Sequence, residues 1–286
     1  MQHPSYWNVL LTFMRNSLIR DMTFRSNFLI LCVSSMSWTV MNFGFYLLIY
    51  QFTSKIAPNA AWGSWGKYEF FVFLSTTWFI NSLVQAFFMP NCQEFSELIR
   101  TGNLDFALLK PIDTQFLISL QKVEWSALTN FFLGFGLLAF SLWKMTYRVE
   151  NPLQWQPIAV VLYPLFVVCG VGILYSLMIS LAATSIWFGR NQSLYNFWFY
   201  ITNFSRYPME IYDVGWGIVL RKLFTFIIPV LVVVNVPARL LAAPLQPRAN
   251  WEWAYIGFTL LATIACLWVS RWIFTHSLLR YRSASS

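Results

Sequence analysis

Six long stretches of this chain are almost free of charge, and they decide most of what it can fold into. They run Phe28–Tyr50, Tyr68–Pro90, Trp125–Trp143, Pro157–Phe188, Gly217–Val236 and Glu252–Phe274. A helix rises about 1.5 Å per residue, so about 20 apolar residues cover the roughly 30 Å hydrocarbon core of a bilayer. A soluble fold would need a charged exterior to enclose that much apolar chain, and an ordinary soluble domain is roughly 25% charged. Here 10% of residues are charged and 58% are hydrophobic. The pattern predicts an all-α, polytopic integral membrane protein with six transmembrane helices. With no repeat and no linker composition, residues 1–286 read as a single membrane domain. The fourth run is too long for one upright span, and Pro164 with the Gly170-Val171-Gly172 pair predicts a tilt or kink. Pro229 predicts a break late in the fifth.

The first residues, MQHPSYWNVL, lack the charged start, apolar run and cleavage site of a signal peptide, so the first span is expected to stay attached. Ahead of it, Trp7, Leu10, Leu11, Met14, Leu18 and Met22 recur at helical spacing. Asn8, Thr12, Asn16, Arg20 and Thr23 fall opposite, while Val9, Phe13 and Ile19 stray. Residues 1–27 therefore read either as a helix in the inner interface, its arginines reaching head groups, or as an ordinary packed helix.

Lys and Arg are retained on the cytoplasmic side of short loops. With the N-terminus inside, thirteen of the 19 basic residues lie inside: Arg15, Arg20, Arg25, Arg100, Lys110, Lys122, Arg190, Arg206, Arg221, Lys222, Arg271, Arg280 and Arg282. Lys55, Lys67, Lys144, Arg148, Arg239 and Arg248 lie outside, in loops that include an outer loop at 237–251. A multi-pass protein of the cell membrane with both termini cytoplasmic is expected. Topology accounts for the net charge of +8, and no nucleic-acid partner is expected.

The chemistry that is missing narrows the function. No G-x-x-x-x-G-K-[ST] loop, GxSxG, HExxH or intramembrane carboxylate pair occurs. Cys32, Cys92, Cys169 and Cys266 are scattered, and His3 and His276 sit at opposite ends, which argues against a disulfide framework and a zinc site. The middles of the first, third and fourth spans hold no Asp, Glu, Lys, Arg or His, the groups that proton-coupled pumps carry at depth. Sodium coupling through broken helices stays open. No enzyme and no cofactor are expected in this chain. Trp38, Asn42, Trp78, Asn81 and Gln85 admit two readings: a translocation path for an amphiphile, or lipid-facing aromatics and interhelical amides. Trp62, Trp65, Trp251 and Trp253 read as an interfacial belt.

The inner segment 91–124 is the most structured part outside the spans. CQEFSELIR forms an amphipathic helix with Phe95, Leu98 and Ile99 on one side and Glu94, Glu97 and Arg100 facing water. Gly102 suits the left-handed position that ends a helix. Asn103 or Asp105 favours a new start for LDFALL, whose leucines are expected to pack back on the membrane domain. Lys110-Pro111 stops that turn, and Asp113 is placed to cap the helix leading into the third span. The segment reads as a docking element or as a polar loop with good turn chemistry.

Glu97-Leu98-Ile99-Arg100-Thr101-Gly102-Asn103-Leu104-Asp105 followed by Leu108-Leu109-Lys110-Pro111 resembles the I-R-x-G-x-L-D-x-x-L-L-x-P signature of a bacterial family of type-two ABC exporter permeases. Phe204-Ser205-Arg206-Tyr207-Pro208 with Ile211-Tyr212, and Ile228-Pro229 through Val236-Pro237-Ala238, resemble it too, so the likeness runs along nearly the whole chain. It implies an N-terminal interfacial helix, a coupling helix within 91–124 seated on an ATP-binding subunit, and re-entrant segments after the fifth span, consistent with Pro229, Pro237, Pro244 and Pro247. ATP would be held by separate ABC ATPase subunits, with a second permease copy or a related permease completing the transporter. On that likeness Glu94, Glu97, Arg100, Gly102, Asp105, Lys110 and Pro111 are the coupling residues. The expected function is the permease subunit of an ATP-driven exporter of a hydrophobic or amphiphilic substrate. The alternatives are a self-contained carrier or channel, or a membrane scaffold.

Overall fold

A computed structural model of the chain describes residues 5–56, 64–149, 152–188, 192–242 and 250–281. It is almost entirely helical: α1 (Tyr6–Thr23), α2 (Arg25–Phe52), α3 (Lys67–Phe87), α4 (Met89–Arg100), α5 (Asn103–Leu108), α6 (Thr114–Leu120), α7 (Thr129–Thr146), α8 (Pro157–Ala183), α9 (Ser185–Phe188), α10 (Gln192–Asn203), α11 (Gly217–Lys222), α12 (Leu231–Ala242) and α13 (Asn250–Leu279). A two-residue ladder, β1 (Lys55–Ile56) against β2 (Trp65–Gly66), closes the α2–α3 connection. Among the described residues five helices are long and apolar enough to cross a membrane, or six if the bent pair Gly217–Ile227 and Leu231–Ala242 counts as one span. The chain is an all-α multi-pass membrane protein.

Lipid is as apolar as the protein interior, so close packing and hydrogen bonds, rather than burial from water, hold such helices together. α3 is the centre. Phe70 through Thr77 are all buried, and α7, α8 and α12 pack around it. Small residues set the approaches: a Cβ on Gly134 would meet the Ser75 carbonyl at 3.3 Å, and one on Gly170 would meet the Val233 carbonyl at 2.9 Å. That carbonyl lies four residues before Pro237, which has no N–H to offer it within α12. α2 is peripheral, with only Thr39 buried. The Thr39 hydroxyl donates to Asn130 Oδ1 at 2.9 Å, and Asn130 Nδ2 donates to Ser35 Oγ at 2.7 Å, joining α2 to α7.

Gly217–Val236 is not the fifth span. Glu210 precedes the run and Arg239 follows it, yet Arg239 Nε donates to the Glu210 carboxylate at 3.0 Å. A segment whose two flanks touch has not crossed the bilayer. It leaves the far end of the bundle beside Tyr255, with Phe226 packed on Tyr255 and Phe258. It turns by 89° around Pro229 and comes back as α12. Val233, four residues past Pro229, lies against Gly170, midway along α8. The segment is a re-entrant hairpin. The return crossing is made by α10, whose Trp198 indole donates to the Leu174 carbonyl at 3.4 Å, and by the irregular residues after it. α10 escaped the hydropathy test because its 12 residues include Gln192, Asn196, Thr202 and Asn203. Arg206, Arg221 and Lys222 thereby lie toward the end of the bundle that holds Glu210 and Arg239, not the end expected from the sequence. Two of the basic residues at that end, Arg221 and Arg239, are paired with Asp213 and Glu210.

Irregular backbone at membrane depth survives only where protein groups satisfy it. Buried Asn235 does this, accepting from Met209 N–H at 3.0 Å while its own amide donates to the Leu231 carbonyl at 2.8 Å. The outer loop expected over 237–251 is helical through Ala242, and helix resumes at Asn250. Trp65 is not a belt residue. It is 3% exposed and its indole donates to Glu210 at 2.7 Å. Trp62, Pro244 and Pro247 lie outside the described residues.

Candidate functional site

The elbow formed by α4, α5 and α6 sits at the end of the bundle opposite Trp65 and Arg239. Pro90 stands in the first turn of α4, where a missing N–H costs nothing. One face of α4 is buried through Asn91, Cys92 and Phe95, and the Phe95 ring packs on Phe274 of α13 at 5.8 Å. Glu94, Glu97 and Arg100 project to the exposed side. Gly102 has φ +72°, the left-handed turn that lets α5 start in a new direction. Thr101 N–H closes α4 on the Glu97 carbonyl at 2.9 Å. α5 ends at Leu108, before Lys110-Pro111.

The charged residues are organised within the elbow itself. Glu97 is paired with Arg100 one turn on, and both side chains stay more than half exposed, at 52% and 62%. Glu94 is paired with Lys122. Beneath that pair, Asn91 exchanges two hydrogen bonds with the Lys122 backbone, at 2.7 and 2.8 Å, pinning α4 to the break after α6. The carboxylate of Asp105 lies near Tyr281, at the end of α13; partial burial and that charge push the phenol up from its ordinary value.

α1 clasps the same region. Ser17 Oγ accepts from Val123 N–H at 3.1 Å, Trp125 donates its indole N–H to the Met14 carbonyl at 3.3 Å, and Tyr6 meets Phe116 edge-on at 5.0 Å. Trp7, Leu11 and Leu18 stay exposed on another face of α1, with Arg15 and Arg20 also exposed.

One expectation about the leucines fails in a useful way. Leu104 is fully buried, but Leu108 is 39% exposed, Leu109 82% and the intervening Phe106 68%. A six-residue helix tethered at both ends has room for only one inward anchor. The rest of its apolar surface points away from the bundle, among exposed Lys110, Pro111 and Glu97. Exposed apolar side chains rimmed by polar ones mark surfaces that meet another protein or a membrane.

Asp113 caps α6, accepting from Phe116 N–H at 2.9 Å. α6 is only seven residues long and breaks at Gln121–Glu124 before the third span begins, so the cap serves the elbow and not the span. Asp113 also accepts from Arg271 of α13 at 3.0 Å. Partial burial acts to raise its carboxyl, but the Arg271 guanidinium and the Phe116 N–H outweigh that and hold it below the usual carboxylate value. Sequence reasoning assigned no role to Arg271, Gln115 or Tyr175, because nothing in the spacing of residues 113, 175 and 271 brings them together.

The five residues considered for a path lie on two helices. Trp38 is 63% exposed on α2, and Asn42 donates to the Trp38 carbonyl in its own helix at 2.9 Å. Trp78, Asn81 and Gln85 are half-buried along one face of α3. Phe43, not Trp38, meets the Trp78 ring, at 6.4 Å.

A helical multi-pass domain with a re-entrant hairpin at one end and a capped, charged elbow at the other defines a polytopic membrane protein. The chain matches the profile of the ABC-2 family transporter protein over residues 36–285, and it belongs to that family. It is a membrane permease component of an ABC transporter, a class powered by an ABC ATPase subunit. No curated protein and no solved structure matches the chain.

Proposed function

We propose that this permease is the membrane half of an ATP-driven exporter and that its elbow seats in a cleft of an ABC ATPase subunit. The observation that carries this is the exposure of Phe106 on α5 and of Leu109 just past its end, at 68% and 82%, in a segment bounded by Gly102 and Pro111. Protein interfaces centre on large anchors, often aromatic, that a ring of surrounding contacts shields from water. Here Glu94, Glu97, Arg100, Asp105 and Lys110 supply the ring. The elbow then faces the cytoplasm, where ATP is, and so do both termini, since α1 and the end of α13 pack beside it. Two permeases, identical or related, would enclose the path. Trp38, Asn42, Trp78, Asn81 and Gln85, exposed or half-exposed in a single chain, would then line it for a hydrophobic or amphiphilic substrate. Closure of the ATPase pair would push the elbow and tilt the attached spans, a rigid-body transition. The direction of transport, export, rests on the resemblance of the motifs.

The test is a mild-detergent pull-down of the tagged chain from its native membrane. A P-loop ATPase recovered with the wild type, and lost when Phe106 and Leu109 are both changed to Ser, supports the docking surface. Repeated recovery of the intact chain without an ATPase would favour a carrier or a scaffold.

A further inference from the structure

The elbow is tied to two spans by one polar network. Arg271, on α13, reaches Asp113 with both terminal nitrogens, one of them at 3.0 Å, and the same Nη1 donates to Gln115 Oε1 at 3.0 Å. Gln115 Nε2 donates in turn to the Tyr175 hydroxyl on α8 at 3.0 Å, and that hydroxyl also meets Ser119 Oγ at 2.8 Å. α6 is thus held to α13 by a charge pair that Asp113 shares with its capping role, and to α8 by two bonds to a single phenol. Gln115 and Ser119 are buried, at 8% and 2% exposed, and lie one helical turn apart on α6, on the face turned to the spans. Apolar contacts alone would let α6 slide over α8; directional bonds to a planar guanidinium and one hydroxyl fix its register.

From this geometry we infer that Arg271 is a positioning residue of the transport cycle: it carries displacement of the elbow into α13, while Tyr175 carries it into α8. The inference rests on the docking reading, because it needs the ATPase to move the elbow. It assigns the movement of α8 and α13 to the Asp113–Arg271–Gln115–Tyr175 network; the covalent paths from the elbow lead elsewhere, into α3 through a nearly continuous helix across Phe88 and towards α7 through the break at Gln121–Glu124.

The experiment uses the full permease–ATPase complex in nanodiscs, with the four native cysteines replaced and spin labels placed in pairs that share Val149→Cys. Gln93→Cys with Val149→Cys reports the elbow against the far end, and Trp268→Cys with Val149→Cys reports α13 against the same reference. Distances are compared between the nucleotide-free and ATP–vanadate states. In wild type both pairs should shift. In Arg271→Gln the elbow pair should shift as in wild type, while the α13 pair loses at least about half of its change, as expected when a two-state element is uncoupled from its driver. Tyr175→Phe, which removes one hydroxyl and should fold as wild type does, isolates the α8 branch. Leu165→Cys with Val149→Cys in that variant should lose a similar share. Wild-type shifts of the α13 pair in Arg271→Gln, or of the α8 pair in Tyr175→Phe, would overturn the inference while leaving docking intact. A wild-type complex that captures no ATPase, or whose elbow pair does not move, overturns the docking reading, and the inference with it.

Discussion

Glu210 and Arg239 are 29 residues apart and joined by a hydrogen bond of 3.0 Å. The chain between them enters the membrane domain and leaves it at the same end, and that changes where the fifth crossing lies. Val214 is 81% exposed next to Gly215, near the far end, and Val149 is 98% exposed there. Val214→Cys should therefore react with a membrane-impermeant maleimide from the same side as Val149→Cys, and Phe106→Cys only from the other. Labelling of Val214 and Phe106 from one side would restore Gly217–Val236 as a span.

The Glu210 carboxylate is fully buried and serves both the Trp65 indole and the Arg239 guanidinium, whose cation also lies 5.0 Å from the Trp65 ring centre. Removing one partner of a buried pair leaves the other charge uncompensated, at a cost of about 3–5 kcal/mol. An exposed pair contributes roughly 0–1 kcal/mol. Glu210→Ala should lower the apparent unfolding temperature in detergent, at a fixed scan rate, well below that of Glu69→Ala, which breaks the half-exposed pair with Arg148. Equal losses would mean that Glu210 does not hold the hairpin.

At Gly170 a methyl group would meet the Val233 carbonyl at 2.9 Å and Ile80 Cδ1 at 3.0 Å, whereas at Gly136 nothing lies within 4 Å. Overpacking costs about 1–3 kcal/mol. Gly170→Ala should destabilise by about that amount, read as a lower apparent unfolding temperature. Gly136→Ala should be neutral or slightly stabilising, because it replaces glycine inside a helix.

Gly102 holds φ +72°, which a β-branched residue enters only with strain of roughly 1–2 kcal/mol or more. Gly102→Val should leave the protein in the membrane but re-aim α5, so that ATPase capture or stimulation is lost. Gly102→Asn, which tolerates the left-handed region, should retain most of it. Wild-type coupling in the valine variant would remove Gly102 from the docking element.

The Asp113 carboxyl lies below its ordinary value in the folded protein. A depressed acid contributes stability that is fully present above its unfolded value, about 3.9, and is lost as pH falls through the lower folded value. The gap in apparent unfolding temperature between wild type and Asp113→Asn should therefore be constant from about pH 7 to about pH 5 and close below about pH 4. A gap that is unchanged at acid pH would mean that the ionised carboxylate contributes nothing.

The sequence by itself determined the class. Runs of about 20 uncharged residues can be satisfied only in lipid, and local chemistry was enough to shape the elbow: Gly102 in the left-handed region, Asp113 as a cap and the start of α5 at Asn103 all follow from residues within a few positions of one another. The tertiary structure alone decided which apolar run crosses and which turns back. Hydropathy measures how apolar a segment is, not where its ends lie, and the ends of Gly217–Val236 are set by Glu210 and Arg239. The fate of Phe106, Leu108 and Leu109 was decided the same way, because a short helix with one anchor, Leu104, cannot bury three more apolar side chains. So was the meeting of Asp113 with Arg271, 158 residues apart. A charge pair across that separation leaves no periodicity in the chain and exists only once α6 and α13 are packed side by side.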